Sequence, residues 1–314
     1  MPPSVNILIP TYNQAEHLAA AVASALDQDY ANLQVIVSDD ASTDTTAAVL
    51  RQFSAGQRLV VSRNATNLGR VGNYRKCLYQ LAFGDWVLVL DGDDYLCDKS
   101  YITQAIQAVE RDPSIDLVFA NAARLREDLN GQLQSPTENA SLPDALPGRD
   151  LFLRFATERV SLFHNTCLYH REKACALDFY RSDIISSDWE SLHRYILTGN
   201  VAFIAKDVAV WRLHGHNATR TLSTAQRIDN LTAITAPCEA ASAGNVFAQQ
   251  ILEEWLETRL WHAAYRDVRG LIKRRDFEGY HAYLAGLRAI HPRICRRIRW
   301  SPHLLLRKLR ARLR

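Results

Sequence analysis

Asp91, Asp93 and Asp94 put three carboxylates within four positions, directly after the apolar run Trp86-Val87-Leu88-Val89-Leu90. Carboxylates packed this closely repel one another, which raises their pKa values unless a cation offsets the charge. Hard oxygen donors suit Mg²⁺ or Mn²⁺, and such ions are commonly held by one or two carboxylates plus substrate phosphates. Taken alone, the stretch also reads as a solvated acidic turn. Other polar clusters follow apolar runs in the same way. They are Pro10-Thr11-Tyr12-Asn13, Ser38-Asp39-Asp40-Ala41-Ser42-Thr43-Asp44 and Asn67-Leu68-Gly69-Arg70. Two more lie downstream, Ser186-Ser187-Asp188-Trp189-Glu190 and Val210-Trp211-Arg212-Leu213-His214-Gly215-His216-Asn217.

The elements that must position these groups alternate. The run from Trp86 reads as a buried parallel strand whose carboxyl end meets the ligand-binding edge of an open sheet. Further strands are predicted at 5–9, 33–37, 59–61 and 115–119. Between them, Leu18, Ala21, Val22, Ala25 and Leu26 share one helical face, as do Ile102, Ala105, Ile106 and Val109. Asn13 with Glu16 has capping-box spacing, and Ser42 reads as an N-cap for the helix carrying Val49, Leu50 and Phe53. Strand and helix alternate for about 120 residues, the pattern of a doubly wound, mostly parallel α/β sheet. From 124 to 149 the chain turns polar and gathers three prolines, as long functional loops do. A short helix near 151–155 and a strand near 163–169 follow. Asp188 then opens a helix with Trp189, Leu192, His193 and Ile196 on one face, and strands are predicted at 201–204 and 208–212. Beyond Leu222 only helical periodicity is visible, including an aromatic stripe (Phe247, Trp255, Trp261) that reads as core. This divides the chain into a domain at 1–221 and a helical region at 222–314.

The composition is that of an ordinary globular protein, 47% hydrophobic and 23% charged. Net charge is +3 and gathers at the C-terminus, so nothing calls for a nucleic-acid partner. Six cysteines without a Cys-x-x-Cys pair point to buried free thiols in a reducing compartment rather than zinc or disulfides. The N-terminus enters a strand directly, without a signal-peptide pattern, and no apolar run reaches the roughly 18 residues of a membrane span. A cytoplasmic protein is expected. The tail from Arg293 to Arg314 interleaves arginine with Ile, Trp and Leu. It reads either as an amphipathic helix on an anionic membrane surface or as a solvated basic tail or oligomer contact.

Taken in order, the four clusters up to Asp94 resemble the family 2 glycosyltransferases of GT-A fold, over about residues 4–220. The resemblance implies that Pro10, Thr11, Tyr12 and Asn13 border a nucleotide, and that an Asp of the Asp39-Asp40 pair holds base and ribose. A carboxylate accepts well from a pyrimidine imide N–H or a ribose hydroxyl; capping and turn formation are the other reading. Asn67, Gly69 and Arg70 match the loop that follows, with Arg70 facing base or phosphate unless it is a plain surface charge. Asp91-Gly92-Asp93 corresponds to the family's Asp-x-Asp motif. It would place Asp93 on the metal, Asp91 on ribose or a metal-bound water, and Mn²⁺ or Mg²⁺ across the donor's two phosphates. Asp188 matches the second residue of the family's Glu-Asp pair and is expected to be the general base. Its rival role is helix-dipole stabilisation, since Ser187 and Glu190 have capping-box spacing. Ser187 stands where the family usually has Glu. His214 is expected at the metal or diphosphate, and Arg212 at phosphate; His164 and His216 are weaker candidates for phosphate or acceptor contacts. The implied activity is inverting transfer from a nucleoside-diphosphate sugar, UDP-sugar favoured, to a saccharide or lipid-linked acceptor at the inner face of a bacterial membrane. A nucleotidyltransferase uses a similar sheet, but no Gly-rich, Lys/Arg-bearing loop follows the first strand. A non-catalytic nucleotide-sugar-binding scaffold is the other alternative, and it would not need Asp188.

Overall fold

The computed structural model describes residues 2–53, 58–127, 131–215, 217 and 222–313. They fall into two compact units, one of residues 1–183 and 187–215, the other of 184–186 and 216–314.

The first unit is built on a ten-stranded sheet. Strands β1 (Val5–Thr11), β2 (Leu33–Asp39), β3 (Leu59–Arg63) and β4 (Trp86–Val89) run parallel in the spatial order β3-β2-β1-β4. All seven residues of β1 and all four of β4 are buried. That is why these stretches read as continuous apolar runs rather than alternating ones. Helices α1 (Ala15–Leu26) and α4 (Tyr101–Arg111) bury Leu18, Val22, Tyr101 and Ile102 against Ile7, Ile9, Val35, Val37 and Leu88. Each such fully buried large side chain contributes about 1.5–3 kcal/mol. Between α1 and α4 lie α2 (Thr46–Leu50), α3 (Arg70–Lys76), a π-helical turn (Cys77–Leu81) and the short strand β5 (Tyr95–Leu96). The doubly wound sheet expected from the alternation is present.

Several boundaries differ from the sequence reading. The 124–149 stretch is not one loop. Strand β6 (Ile115–Arg126) extends into it, and β7 (Gln132–Gln134) and β8 (Ala145–Pro147) lie inside it. The two strands predicted at 201–204 and 208–212 are one, β10 (Asn200–Leu213), which bends at register shifts near Ile204, Asp207 and Ala209. The charged Lys206-Asp207 pair, exposed at Lys206 and half-buried at Asp207, marks that irregularity and hid the continuity. The region near Phe163 is a 3-10 turn (His164–Thr166) leading to a three-residue strand, β9 (Leu168–His170). Helices α5 (Gly148–Thr157), α6 (Arg171–Ala176) and α7 (Ser187–Tyr195) complete the unit.

The second unit is helical: α8 (Thr224–Asp229), α9 (Thr232–Ala243), α10 (Gln249–Lys273), α11 (Phe277–Ile290), α12 (Pro292–Arg299) and α13 (Pro302–Leu313). Trp255 is core, as expected, while Trp261 is half-buried with the Arg297 guanidinium 4.9 Å from its ring centre. All six cysteines are free, but Cys97 is exposed and Cys175 half-buried, so the expectation of uniformly buried thiols fails for these two.

Candidate active site

Because β1 to β4 are parallel, the residues that end them share one edge of the sheet. Strand β9 runs antiparallel between β4 and β6, so the His164–Thr166 turn that precedes it reaches that same edge. Strand β10 is parallel to β6 and delivers Arg212 and His214 there too.

At the end of β4, Tyr74 donates its hydroxyl to Asp91 Oδ1. Burial pushes the Asp91 carboxyl up and the neighbouring Asp93 adds to this, while Arg70 and His164 oppose it. Asp93 Oδ2 lies 2.9 Å from His214 Nε2, a contact that holds the imidazole pKa above its usual value. Asp94 is spoken for within the protein. Its oxygens accept from Asn165 Nδ2 and from the Arg212 backbone N–H, both at 2.9 Å, and burial pushes its pKa well up. Gly92 is required by close packing. A Cβ there would sit 2.6 Å from Gln14 Oε1 and 2.9 Å from Thr11 Oγ1, which are themselves hydrogen-bonded at 3.0 Å.

This donor set fits a hard divalent cation. Asp93 and His214 offer oxygen and imidazole side by side, with the carboxyl of Asp91, raised mainly by its burial, two positions before Asp93. Among the described residues no group of three such side chains forms a complete metal cage. A site of one or two protein ligands leaves its remaining positions to substrate phosphates and water.

At the ends of β1 and β2 the two carboxylates expected at the nucleotide separate in role. Asp40 Oδ1 accepts from Asn64 Nδ2 (2.6 Å) and Leu68 N–H (2.8 Å), and its own N–H donates to Thr11 O (2.9 Å). It braces the loop. Asp39 Oδ1 accepts from Ser42 N–H at 2.9 Å, but Oδ2, in a residue only 1% exposed, has an Arg63 ion-pair contact at 3.6 Å and no hydrogen bond. A buried carboxylate oxygen left this way is ready to accept from a ligand. Asn13 does not cap α1, whose N-cap is Gln14. With φ at +52°, it accepts on Oδ1 from the Thr43 and Asp44 N–H groups, and its own N–H donates to Ser42 Oγ. Ser42 likewise caps nothing, because α2 begins only after Thr45. The two residues tie the β1 and β2 loops together instead. Pro10 is buried in β1, and Tyr12 is 47% exposed beside it. Asn67 Oδ1 accepts from Gly69 N–H at 2.9 Å, and Gly69 (φ +79°) faces open space. Arg70 is not a plain surface charge. Its guanidinium lies 4.6 Å from the Tyr74 ring centre, and Tyr74, Asp188 and Asp91 hold its pKa up against the opposing effect of burial.

Asp188 stands in the first turn of α7, 8% exposed, with Oδ2 3.9 Å from His164 Nδ1. The capping box expected here is not formed. Ser187 is fully buried and its Oγ has no hydrogen bond, while Glu190 turns inward. Glu190 is held by Arg194 (Nε 2.6 Å, Nη2 3.0 Å) and Arg181 (Nε 3.1 Å). Arg212 reaches Glu127 at 3.3 Å and lies over the Tyr95 ring, and His17 lies 5.1 Å, ring to ring, from His214. His216 falls outside the described residues. Sequence reasoning singled out Asn165 beside His164 but missed Gln14, Tyr74, Tyr180 and Glu190 as participants. Tyr74 follows Arg70 by one helical turn, and Glu190 precedes Arg194 by one, so i,i+4 pairing was the available signal for both. Tyr180 gave none.

Residues 6–173 match the sequence profile of Glycosyl transferase family 2. An uncharacterised protein of Mycobacterium bovis is 25% identical over 226 residues, which cover 71% of this chain and 62% of that relative's length. The UDP-Glc:α-D-GlcNAc-diphosphoundecaprenol β-1,3-glucosyltransferase of Escherichia coli is 36% identical over 91 residues, 29% of this chain and 36% of that one. The crystal structure of residues 1–349 of Staphylococcus aureus TarS in complex with UDP-GlcNAc superposes with a TM-score of 0.72. The match covers 98% of this chain and 89% of that one at 16% identity, a likeness of fold. With more than half its length inside the family profile and the acidic motifs aligned on one edge of a GT-A sheet, the chain belongs to glycosyl transferase family 2.

Proposed function

We propose that the protein transfers a sugar from a UDP-sugar to an acceptor hydroxyl by a single, inverting displacement that depends on Mn²⁺ or Mg²⁺. The observation that carries this reading is the run of contacts from Asp91 to Asp188: Tyr74 donates to Asp91 Oδ1, its ring packs 5.8 Å from that of His164, and His164 Nδ1 lies 3.9 Å from Asp188 Oδ2. The Asp-x-Asp carboxylates and the proposed base therefore serve one site. Asp39 Oδ2 receives the base or ribose, Asn13, Asn67 and Gly69 shape the surrounding loops, and Asp93 with His214 would hold the cation, which would supply positive charge against the diphosphate. Arg70 and Arg212 add positive charge near the diphosphate. Asp188 takes the acceptor's proton as its oxygen attacks the anomeric carbon.

A UDP-sugar is favoured because the E. coli relative is named for UDP-Glc and the TarS structure holds UDP-GlcNAc. A lipid-linked acceptor of a cell-envelope polysaccharide fits the same E. coli relative, named for a diphosphoundecaprenol acceptor. Among the described residues no helix is long and apolar enough to cross a membrane. Helices α12 and α13 instead expose Trp300, Leu306 and Leu309 among arginines, a composition suited to lying on an anionic bilayer. The test is release of UDP from a panel of UDP-sugars, with Mn²⁺ and with chelator. Metal-dependent release that disappears in Asp93→Ala and falls steeply in Asp188→Asn supports the reading; absence of binding to every donor overturns it.

A further inference from the structure

We propose that His164 is the positioning partner of Asp188, held in one tautomer by Tyr180, so that base and imidazole act as an oriented pair. The proposal rests on the reading of Asp188 as the base. His164 Nε2 lies 3.1 Å from the Tyr180 hydroxyl, and that hydroxyl lies 3.2 Å from the hydroxyl of Tyr169. Either hydroxyl can donate in these contacts; because a carboxylate oxygen faces Nδ1, we set the N–H there and take the run as Tyr169 O–H to Tyr180 and Tyr180 O–H to His164 Nε2. Nε2 is then the acceptor, which leaves the proton of the neutral ring on Nδ1. Nδ1 is the atom facing Asp188 Oδ2 at 3.9 Å. Contacts of this kind are often long without substrate and tighten once it binds. His164 and Tyr180 are both buried.

The remaining neighbours hold the ring in place. The Tyr74 ring packs 5.8 Å from it, and the buried Asp91 lies close enough to feel it. Tyr180 is itself over-determined. It sits at φ +60° in a turn that also holds Asp178 at φ +49°, both unusual for residues with a Cβ. Its N–H donates to Ser191 Oγ at 2.8 Å. Arg194, gripped by the fully buried Glu190, donates to the carbonyls of Leu177 and Asp178. Arg75 donates to Asp178 Oδ1 and to the Phe179 carbonyl. Backbone held this firmly away from its preferred regions is a mark of functional sites.

In the reaction, the acceptor hydroxyl loses its proton to the Asp188 carboxylate, the new bond forms at the anomeric carbon, and the bond to the diphosphate oxygen breaks. His164 keeps its Nδ1 proton throughout. That proton orients the Asp188 carboxylate.

Two measurements on the full chain test this. Long-range ¹H–¹⁵N correlation on ¹⁵N-histidine-labelled protein, assigned with His164→Asn, reads the tautomer without substrate. A neutral Nδ1–H ring that becomes a mixture in Tyr180→Phe is expected, and an Nε2–H ring in the native protein overturns the proposal. UDP release from UDP-GlcNAc with Mn²⁺ reads the function. His164→Ala and Tyr180→Phe are expected to lower kcat about tenfold or more with KM held, and His164→Asn, whose amide can donate from the Nδ1 position, to restore much of it. Equal loss in His164→Ala and His164→Asn overturns it. Full UDP release in Asp188→Asn with the His164 tautomer intact instead overturns the assignment of the base.

Discussion

His214 Nε2 and Asp93 Oδ2 are 2.9 Å apart although 121 positions separate them in the chain. The segment that ends β10 thus closes on the acidic motif. Asp93→Ala is expected to abolish the response of UDP binding to Mn²⁺. His214→Ala is expected to weaken Mn²⁺ affinity on the order of 10–100-fold, as loss of a ligand's partner or of one ligand among several does. Calorimetric titration of Mn²⁺ in the presence of UDP measures both.

Asp39 and Asp40 are adjacent and both buried, yet their substitution by Asn is expected to fail in different ways. Asp40→Asn keeps an acceptor at Oδ1 but loses the charge that strengthens the bonds from Asn64 Nδ2 and Leu68 N–H, at a cost of about 1–2 kcal/mol of stability. Asp39→Asn can keep its bond from Ser42 and loses chiefly the oxygen that has no hydrogen bond. It should weaken UDP binding at least about tenfold with little change in Tm. Urea denaturation and UDP titration of the two variants separate these effects.

Gly92→Ala is expected to impair UDP release through a collision with Gln14 rather than through backbone strain. The added methyl meets Gln14 Oε1 at 2.6 Å and Thr11 Oγ1 at 2.9 Å. Gln14 can swing away, whereas Thr11 is anchored in β1. Adding Gln14→Ala should therefore recover part of the loss, and steady-state kinetics of the single and double variants checks this coupling.

Asp98 gives a pH-dependent stability of its own. Partial burial pushes its pKa up, but Lys206, Ser100 and Gln104 outweigh this and bring it down to about 2 from 3.8. Since the folded value is the lower one, the stabilisation is complete above about pH 4 and fades as pH falls toward 2. It is worth about 2 kcal/mol. Denaturation across that window is expected to show a smaller loss of stability for Asp98→Asn than for the native protein.

The tail prediction concerns Trp300, Leu306 and Leu309. Replacing all three by serine removes exposed apolar surface without touching buried Ile294, Ile298 or Leu304. Flotation with phosphatidylglycerol vesicles is expected to lose the protein while its melting temperature holds. Equal flotation of both forms would leave only the arginines as the anchor.

Much of the site was legible because its carboxylates directly follow buried strands, and period-free apolar runs such as β1 and β4 are unambiguous at that length. The Asp39-Asp40 pair was visible, but which member is braced depends on Asn64 and Leu68, whose approach is tertiary. Asn13 and Ser42 have the residue types of caps, yet both are used to join two loops, because α1 and α2 start later than local spacing suggests. The reversed strand β9 was hidden for a simpler reason. Three residues carry no periodicity, and the His164 turn that it aims is defined by partners at positions 74, 180 and 188.

The placement of β9 and β10 also sets the order in which the protein can assemble during synthesis. β1, β2, β3 and β4 can pair once about 90 residues have emerged, and the acidic motif then stands at an open sheet edge. Its neighbour β9 arrives only near residue 170, and His214 later still. Long-range pairings of this kind form slowly and leave strand edges exposed in the interim. Completion of the candidate site, with Asp188 and His214, is thus a late event in the life of the nascent chain. A ribosome stalled before residue 200 would carry a sheet still without β10 and an acidic motif still without His214.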